Sequence, residues 1–452
     1  MTLSVFQAAR ESPDAAALVT ATETLSYAAL ASRVRAALGW LGPAGGLVGA
    51  TALVAEPTLD AAVAFHALVA TGTPVFLVHP KWTSAERERA LGAVRPTFRI
   101  PPGLAWTGCE CAEPPSPVPD DERPLAMVYT SGSSGGPKGV ELSRLAIAAS
   151  AAASAKNLGW RDDDRWLLSL SFAHVGGLSV LTRCLAARRA VVLDPGDVAE
   201  AVARHRVTLL SLVPTQLARL VAANWHPPAY VRAILVGGAA LTAHLRAEVT
   251  ARGWPILATY GMTETSSQVA TQAPGDAPAA GAGRPLSGME VRAVGGVLQV
   301  RGPGLFTRYV PSGERERTSD GWFETGDLGH VDANGVVHVL GRRDDLIITG
   351  GEKVLPQEVE DALNRLPDVQ EACVFGSADE AWGQVVAAAV VPRIRPWDAA
   401  QLAGRLQGQL APFKWPRQVA VVAELPKTAN GKVDRKALAV QCRQALRPLG
   451  TQ

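Results

Sequence analysis

Residues 125–139 read Leu-Ala-Met-Val-Tyr-Thr-Ser-Gly-Ser-Ser-Gly-Gly-Pro-Lys-Gly, an apolar run that breaks into a string of hydroxyls and glycines with one lysine. The run LAMVYT has no strict alternation, which suits a strand buried on both faces. The loop after it, TSGSSGGPKG from Thr130 to Gly139, has the composition that wraps phosphate oxygens. Glycines remove the Cβ obstruction, amides and hydroxyls donate, and Lys138 adds charge. A helical pattern then begins near Ser143. The Walker pattern requires Gly-Lys-Ser/Thr, whereas Pro137 precedes Lys138 here and Gly139 follows it; nor does a GxGxxG follow any strand. Kinase, GTPase and dinucleotide-oxidoreductase readings lose their main support.

The loop sits in an α/β chain. From Leu25, LSYAALASRVRAALGWL repeats apolar residues at helical spacing, and AAVAFHALVATGTPVFLV runs from helix into a short buried strand. The Pro-rich stretch 95–124 is expected as a surface excursion. Beyond the loop, RWLLSLSF, AVVLD, LLSLVP, YVRAILVGG and ILATYG recur between helical patterns, as in a mostly parallel sheet with helices on both sides. Catalytic loops then belong at strand ends. From Gly295, GGVLQVRGPG and DANGVVHVLGRRDDL alternate with Gly turns and read as antiparallel or barrel-like. A small α+β module follows, with a helix from Pro356 to Leu366, strands EACVFG and VVAAAVV, a helix from Trp397 to Leu410 and a strand QVAVVAEL. The expected architecture is a large N-terminal domain, 1–343, of layered parallel-type sheets plus a β-rich subdomain, and a small C-terminal domain, 344–452.

Composition narrows the function classes. With 452 residues, 44 Lys plus Arg against 42 Asp plus Glu and a net charge of +2, the chain has no footprint for nucleic acid or anionic lipid. Five cysteines, an odd number without a CxxC pair, argue against a disulfide scaffold and a zinc site. The N-terminus MTLSVFQAARESPDAAALV lacks a continuous apolar h-region, and no window of about 18 apolar residues follows. A soluble cytoplasmic protein is expected.

TSGSSGGPKG resembles the signature loop of the acyl-CoA synthetase, adenylation-domain and luciferase superfamily of adenylate-forming enzymes. Further matches follow in that family's order: TYGMTET (259–265), RYV and then GWFETGDLG (321–329), GRRDDLIITGGEKVLPQEVE (341–360) and PKTANGKVDRKAL (426–438). The resemblance covers nearly the whole chain and implies that ATP and a carboxylic acid form an acyl-AMP, with coenzyme A as second substrate and Mg²⁺ on the phosphates. It implies a phosphate loop of Thr130, Ser131, Gly132, Ser133, Ser134, Gly135 and Lys138. Gly237, Gly238, Ala239 and Tyr260 would flank adenine, with Thr259, Gly261, Met262 and Thr263 beside them. Asp327 would accept the ribose hydroxyls, one carboxylate for two donors, and Arg342 would reach the ribose or phosphates. Glu264 is the candidate Mg²⁺ carboxylate, since that ion prefers one or two carboxylates plus substrate oxygens. Lys432 would bridge acid and α-phosphate, a role suited to a point charge on a flexible stem. Asp344 would be the hinge on which the small domain swaps faces between two half-reactions. Gly350, Gly351 and Glu352 would then enter the site as part of the CoA tunnel.

The acid should be held by residues from Ser169 to Leu185 and by those after GMTE. Together with SLVPTQLARL (211–220), these strings look most like the o-succinylbenzoate–CoA ligase group of menaquinone biosynthesis. That substrate carries a second carboxylate, so its pocket needs a polar partner; His174, Arg183, Ser267 and Gln268 are the candidates, with Gly176 and Gly177 in the loop. Relatives often read HxSG where this chain reads HVGG, so Gly176 removes a hydroxyl that might have served the acid. Another aryl or acyl ligase, or a stand-alone enzyme loading a carrier protein, is the alternative. The expected partners are small molecules, a homodimer being compatible with them.

Overall fold

The computed structural model describes residues 2–42, 49–103, 106, 113–116, 118–130, 138–276, 280–394, 396–428 and 432–449. Two large sheets sandwich a layer of helices. The nine-stranded sheet has a parallel centre, Ile256–Tyr260, Ala233–Val236, Leu209–Leu212, Arg165–Leu167, Ala190–Val192 and Ala16–Val19 in spatial order, flanked by short antiparallel strands. The six-stranded sheet runs Arg308–Val310, Lys138–Ser143, Pro124–Thr130, Val75–Val78, Thr51–Val54, Phe98–Arg99. One apolar core joins both: Trp166 and Leu209 come from the first sheet, Leu77, Val128 and Val140 from the second, and Phe65, Leu68 and Leu181 from helices between them. The helix Leu59–Thr71 buries residues on all sides, which explains its near-continuous apolar sequence.

The chain after Ser287 builds a four-stranded antiparallel sheet, Glu290–Val294, Val297–Arg301, Phe323–Val331 and Val337–Arg342. A last sheet, with its own apolar core, is formed from residues 347–448 and includes the long hairpin Val369–Asp379 with Gly383–Pro392. This is the layered α/β architecture expected from the sequence.

The helix expected near Ser143 is present: after the Gly-rich loop, Lys138–Ser143 forms a strand antiparallel to Pro124–Thr130, and Ser143 then caps the helix Arg144–Leu158 by accepting from Ala146 N at 3.1 Å. Val140 and Leu142, spaced by two, are buried in that strand. The Pro-rich stretch is not all surface, since Phe98–Arg99 pairs with Thr51–Val54 and Trp106 is buried, donating to the Asp60 carbonyl at 2.9 Å. Finally, the helix expected over 397–410 is a 3-10 turn Ala399–Gln401 and a short helix Leu402–Leu406. Gly408, at φ +78°, closes it while Leu402, Leu406 and Leu410 still reach the core.

No helix among the described residues is long and apolar enough to cross a membrane.

Candidate active site

The strands Phe323–Val331 and Val337–Arg342 pair so that Asp327 faces Arg342. Arg342 Nη1 donates to Asp327 Oδ1 at 2.8 Å, and the Tyr260 hydroxyl donates to Oδ2 at 2.8 Å. Thr325 braces the turn: its Oγ1 accepts from Asp327 N at 3.1 Å and donates to Leu298 O at 2.8 Å. Each carboxylate oxygen keeps a lone pair, so Asp327 can still accept two hydroxyl donors. Tyr260 is buried, and loss of hydration followed by the Asp327 charge holds its hydroxyl far above the ordinary range. It is therefore a fixed donor to Asp327. Burial opposes the Arg342 charge, but Asp327, then Tyr260 and Glu264, outweigh burial and raise its pKa.

Gly237, Gly238 and Ala239 follow the strand Ala233–Val236, while Thr259 and Tyr260 end its parallel neighbour. Both groups thus stand at carboxyl ends of adjacent parallel strands, where ligands of open α/β sheets bind. Gly261 permits a tight return, because a Cβ there would lie 1.6 Å from Ser267 O. The turn carrying Met262 and Thr263 into Glu264 then stores strain, with Ser266 at φ +51° and Ser267 at φ +100°, unusual for residues with a Cβ. Ser266 Oγ is buried without a partner.

Glu264 is reached by the Tyr309 hydroxyl at 3.1 Å, and the Tyr309 ring lies under the Lys138 ammonium, 4.6 Å from its centroid. Lys138 also stands 3.6 Å from Glu316. Loss of hydration raises the Glu264 carboxyl; its own backbone amide, Tyr309 and Arg342 hold it back. Among the described residues no group of three or more His, Cys, Asp or Glu could cage a metal. A single carboxylate beside phosphate-bearing substrate nonetheless fits Mg²⁺, which completes its shell with substrate oxygens and water. Tyr309, in RYV, has no role legible in the sequence, yet it joins Glu264 to Lys138. Thr130 Oγ1 donates to Lys138 O at 3.4 Å across the base of the loop. Ser131, Gly132, Ser133, Ser134 and Gly135 lie outside the described residues, as do Cys109 and Cys111.

Lys432 enters from the C-terminal sheet. Its carbonyl accepts from Thr428 N at 2.7 Å, and Asp434 N donates to Pro426 O at 2.8 Å, so the arm returns as a tight loop. The side chain extends to Gly238, whose missing Cβ would lie 3.7 Å from Lys432 Cε. The residue as a whole is exposed, but its ammonium lies within reach of the Asp327, Glu264 and Arg342 charges and makes no ion pair among the described residues. Loss of hydration, then the Arg342 charge, lowers its pKa, while Asp327 and Glu264 pull the other way. A cation left unpaired between an aspartate, a glutamate and an arginine is ready for an anion.

The helix Val175–Ala187 starts at His174. His174 packs on His79, centroids 5.1 Å apart, and its Nε2 is buried without a partner. Loss of hydration, His79 and Lys432 lower its pKa to about 4, so the ring is neutral at physiological pH. His79, which lacked any sequence signal, is held by Lys81 N donating to its Nδ1 at 3.1 Å. Gly177 is a packing residue: a Cβ would sit 2.4 Å from Ser171 O. Gly176 is less confined, with only Leu170 at 3.0 Å. Seven residues on, Arg183 projects within about 20° of the Gly176 direction and about 10 Å along the axis. Arg183 is 2% exposed, its Nε and Nη2 have no partner, and Trp166 lies 5.7 Å away. Gln268 is engaged elsewhere, its Nε2 donating to Thr271 and Thr259 hydroxyls at 2.9 and 3.2 Å while Oε1 stays buried and unpartnered.

Gly350, Gly351 and Glu352 turn between the strands Ile347–Thr349 and Glu352–Val354, against the half-exposed Trp382, whose carbonyl accepts from Gly350 N at 3.0 Å. Their contacts are with the C-terminal sheet rather than with the Asp327 cluster.

Residues 101–310 match the AMP-binding enzyme family and residues 358–432 the AMP-binding enzyme C-terminal domain. The chain is 37% identical to the 2-succinylbenzoate–CoA ligase of Bacillus pumilus (strain SAFR-032), over 71% of this chain and 69% of that protein. It is equally 37% identical to the indoleacetate–CoA ligase of Aromatoleum aromaticum, over 79% and 77% of the two chains. Among solved structures, o-succinylbenzoate CoA synthetase (MenE) from Bacillus subtilis with the acyl-adenylate intermediate OSB-AMP superposes with a TM-score of 0.86 at 32% identity, covering 97% of this chain and 98% of that one. ATP-bound MatB from Rhodopseudomonas palustris gives 0.88 at 28% identity, covering 98% and 99%. Matched by family models over residues 101–310 and 358–432 and 37% identical to relatives over more than two thirds of their length, the chain belongs to the AMP-binding enzymes.

Proposed function

We propose that this chain is an ATP-dependent acid–thiol ligase converting o-succinylbenzoate to o-succinylbenzoyl-AMP and then to the CoA thioester, the menaquinone step implied by the sequence resemblance. The observation that carries the choice of acid is Arg183. A buried guanidinium with two unpartnered nitrogens is costly and becomes favourable when a carboxylate pairs with it. A monocarboxylic substrate gives it nothing. Relatives named as 2-succinylbenzoate–CoA ligases support the same choice.

In the first half-reaction an acid oxygen attacks the α-phosphorus as the bond to pyrophosphate breaks. Lys432 neutralises acid and α-phosphate together, Asp327 fixes the ribose, and Lys138 takes charge on the leaving phosphates. Mg²⁺, when bound at Glu264, supplies further neutralisation of the triphosphate. These groups act by orientation and fixed charge, the usual main terms in such transfers. Residues 344–452 then turn about Asp344 as a lid, withdrawing Lys432 and bringing in Gly350, Gly351 and Glu352. In the second half-reaction the CoA sulfur attacks the acyl carbonyl, AMP leaves, and the thiol proton is released.

ATP–pyrophosphate exchange over o-succinylbenzoate, benzoate, indoleacetate, anthranilate and medium-chain fatty acids tests this. The expected result is strong exchange with o-succinylbenzoate alone, followed by thioester formation with free CoA. Equal exchange with benzoate overturns the assigned acid, and acceptance only of a phosphopantetheinylated carrier overturns the assigned thiol.

A further inference from the structure

The 3-10 turn Arg343–Asp345 carries the chain from the four-stranded sheet to the C-terminal sheet. On its near side Arg342 is paired with Asp327 at 2.8 Å and Arg343 with Glu324 at 2.6 Å, both acids lying on the strand Phe323–Val331. On its far side Asp345 Oδ2 meets Arg435 Nη1 at 2.8 Å. Between them, Asp344 makes no side-chain hydrogen bond or ion pair among the described residues. Arg435 opens the helix Arg435–Cys442, three residues beyond Lys432. Its other nitrogens are also committed: Nε donates to Val374 O at 2.8 Å and Nη2 to Glu360 Oε1 at 2.6 Å. Glu360, 7% exposed, accepts from Val374 N at 2.8 Å as well. One guanidinium therefore ties the end of the linker, the helix Pro356–Asn364, the strand Val369–Asp379 and the base of the lysine arm.

We infer that Arg435 is a positioning residue for Lys432: by welding Asp345 to the lid, it confines rotation to Asp344 and delivers the lysine arm to Gly238 in one orientation. The inference rests on the ligase reading in that Lys432 acts on the acid and α-phosphate. Its physical basis is a count of free torsions. With both neighbours pinned, the linker has two soft dihedrals; without the Arg435 clamp, Asp345 and Leu346 add four. Misplacing a reacting group by about 1 Å lowers rate by about a hundredfold, so a loose linker disables the step that needs the lysine. Lysine cannot substitute, because only the planar fork serves Asp345, Glu360 and a carbonyl at once.

Asp345→Ala is the primary test, since it removes the clamp while leaving the buried Glu360 paired; Arg435→Lys is the second. Hydrogen exchange of amides 343–347 is expected to accelerate by about tenfold or more in both variants. Pyrophosphate exchange is expected to fall about 10- to 100-fold in kcat with KM for ATP nearly unchanged, while acyl transfer from supplied acyl-AMP to CoA stays within about threefold. Unchanged linker exchange, or equal loss in both half-reactions, overturns the inference. Failure of the ligase reading is distinguishable: the wild type then shows no pyrophosphate exchange with any acid, while linker exchange still reports whether the clamp exists.

Discussion

Replacing Arg183 by methionine separates a substrate contact from a structural one. Loss of hydration lowers the Arg183 pKa from its ordinary value to about 9, and only the neighbouring Cys184 opposes it. A group whose charged form is disfavoured in the fold destabilises it at neutral pH, by about 5 kcal/mol for a shift of this size at 1.36 kcal/mol per unit. Methionine forfeits the contact with Trp166, about 1 kcal/mol, and some packing, about 1 kcal/mol. Arg183→Met should therefore stabilise the ligand-free protein by about 2–3 kcal/mol, visible as a higher urea midpoint with an unchanged m-value. The same variant should lose at least about a hundredfold in kcat/KM for o-succinylbenzoate, as an unpaired carboxylate is left in an apolar site, while weak monocarboxylic acids lose almost nothing. A variant less stable than wild type would mean that the guanidinium is already satisfied, and an equal loss for all acids would mean that it shapes the pocket without reading the second charge. Either result refutes the reasoning.

Lys432→Ala should lower pyrophosphate exchange by about 10²–10³-fold and leave acyl transfer from supplied acyl-AMP nearly intact, the scale expected for one preorganised charge at a developing anion; equal loss in both assays removes the assigned role. Asp344→Pro should retain adenylation, because a 3-10 turn accepts the proline φ, and should block thioester formation; an unchanged ratio of half-reaction rates argues against the hinge. His66, fully enclosed in the helix Leu59–Thr71, has its pKa lowered by loss of hydration from 6.5 to about 4. The unfolded chain takes its proton first, so stability falls as pH drops from about 6.5 towards 4, by about 2 kcal/mol at pH 5. His66→Phe should flatten that loss; urea midpoints at pH 7.5 and 5 that move in parallel for both proteins count against it.

Much of this was legible in the sequence where local chemistry dictates the backbone. The apolar runs at 209–212, 233–236 and 256–260 became buried parallel strands because nothing polar in them demanded solvent. Asp327, Arg342 and Lys432 stand where a motif could point to them. The remainder depended on distant partners. Trp106 is buried by Trp40 and the Asp60 carbonyl, neither visible from a Pro-rich context. Tyr309 gains meaning only because its strand returns to the phosphate-loop hairpin, and Arg435 only because Asp345 and Glu360 arrive from elsewhere. Gly177 looked like part of the acid loop, yet the carbonyls of Leu170 and Ser171 already require its missing side chain.

The return of Arg308–Val310 to pair with Lys138–Ser143 sets an order of events during folding. Arg308 meets Glu141, 2% exposed, through two bonds of 3.0 Å across 167 residues, and the intervening chain builds most of the nine-stranded sheet. Closing so long a loop is entropically slow, and contacts of such separation form late. The ammonium of Lys138 reaches the Tyr309 ring only once that strand has returned. Any ligand that spans Lys138 and the Tyr309 strand would therefore favour the closed pairing over the chain in which that strand is still unpaired.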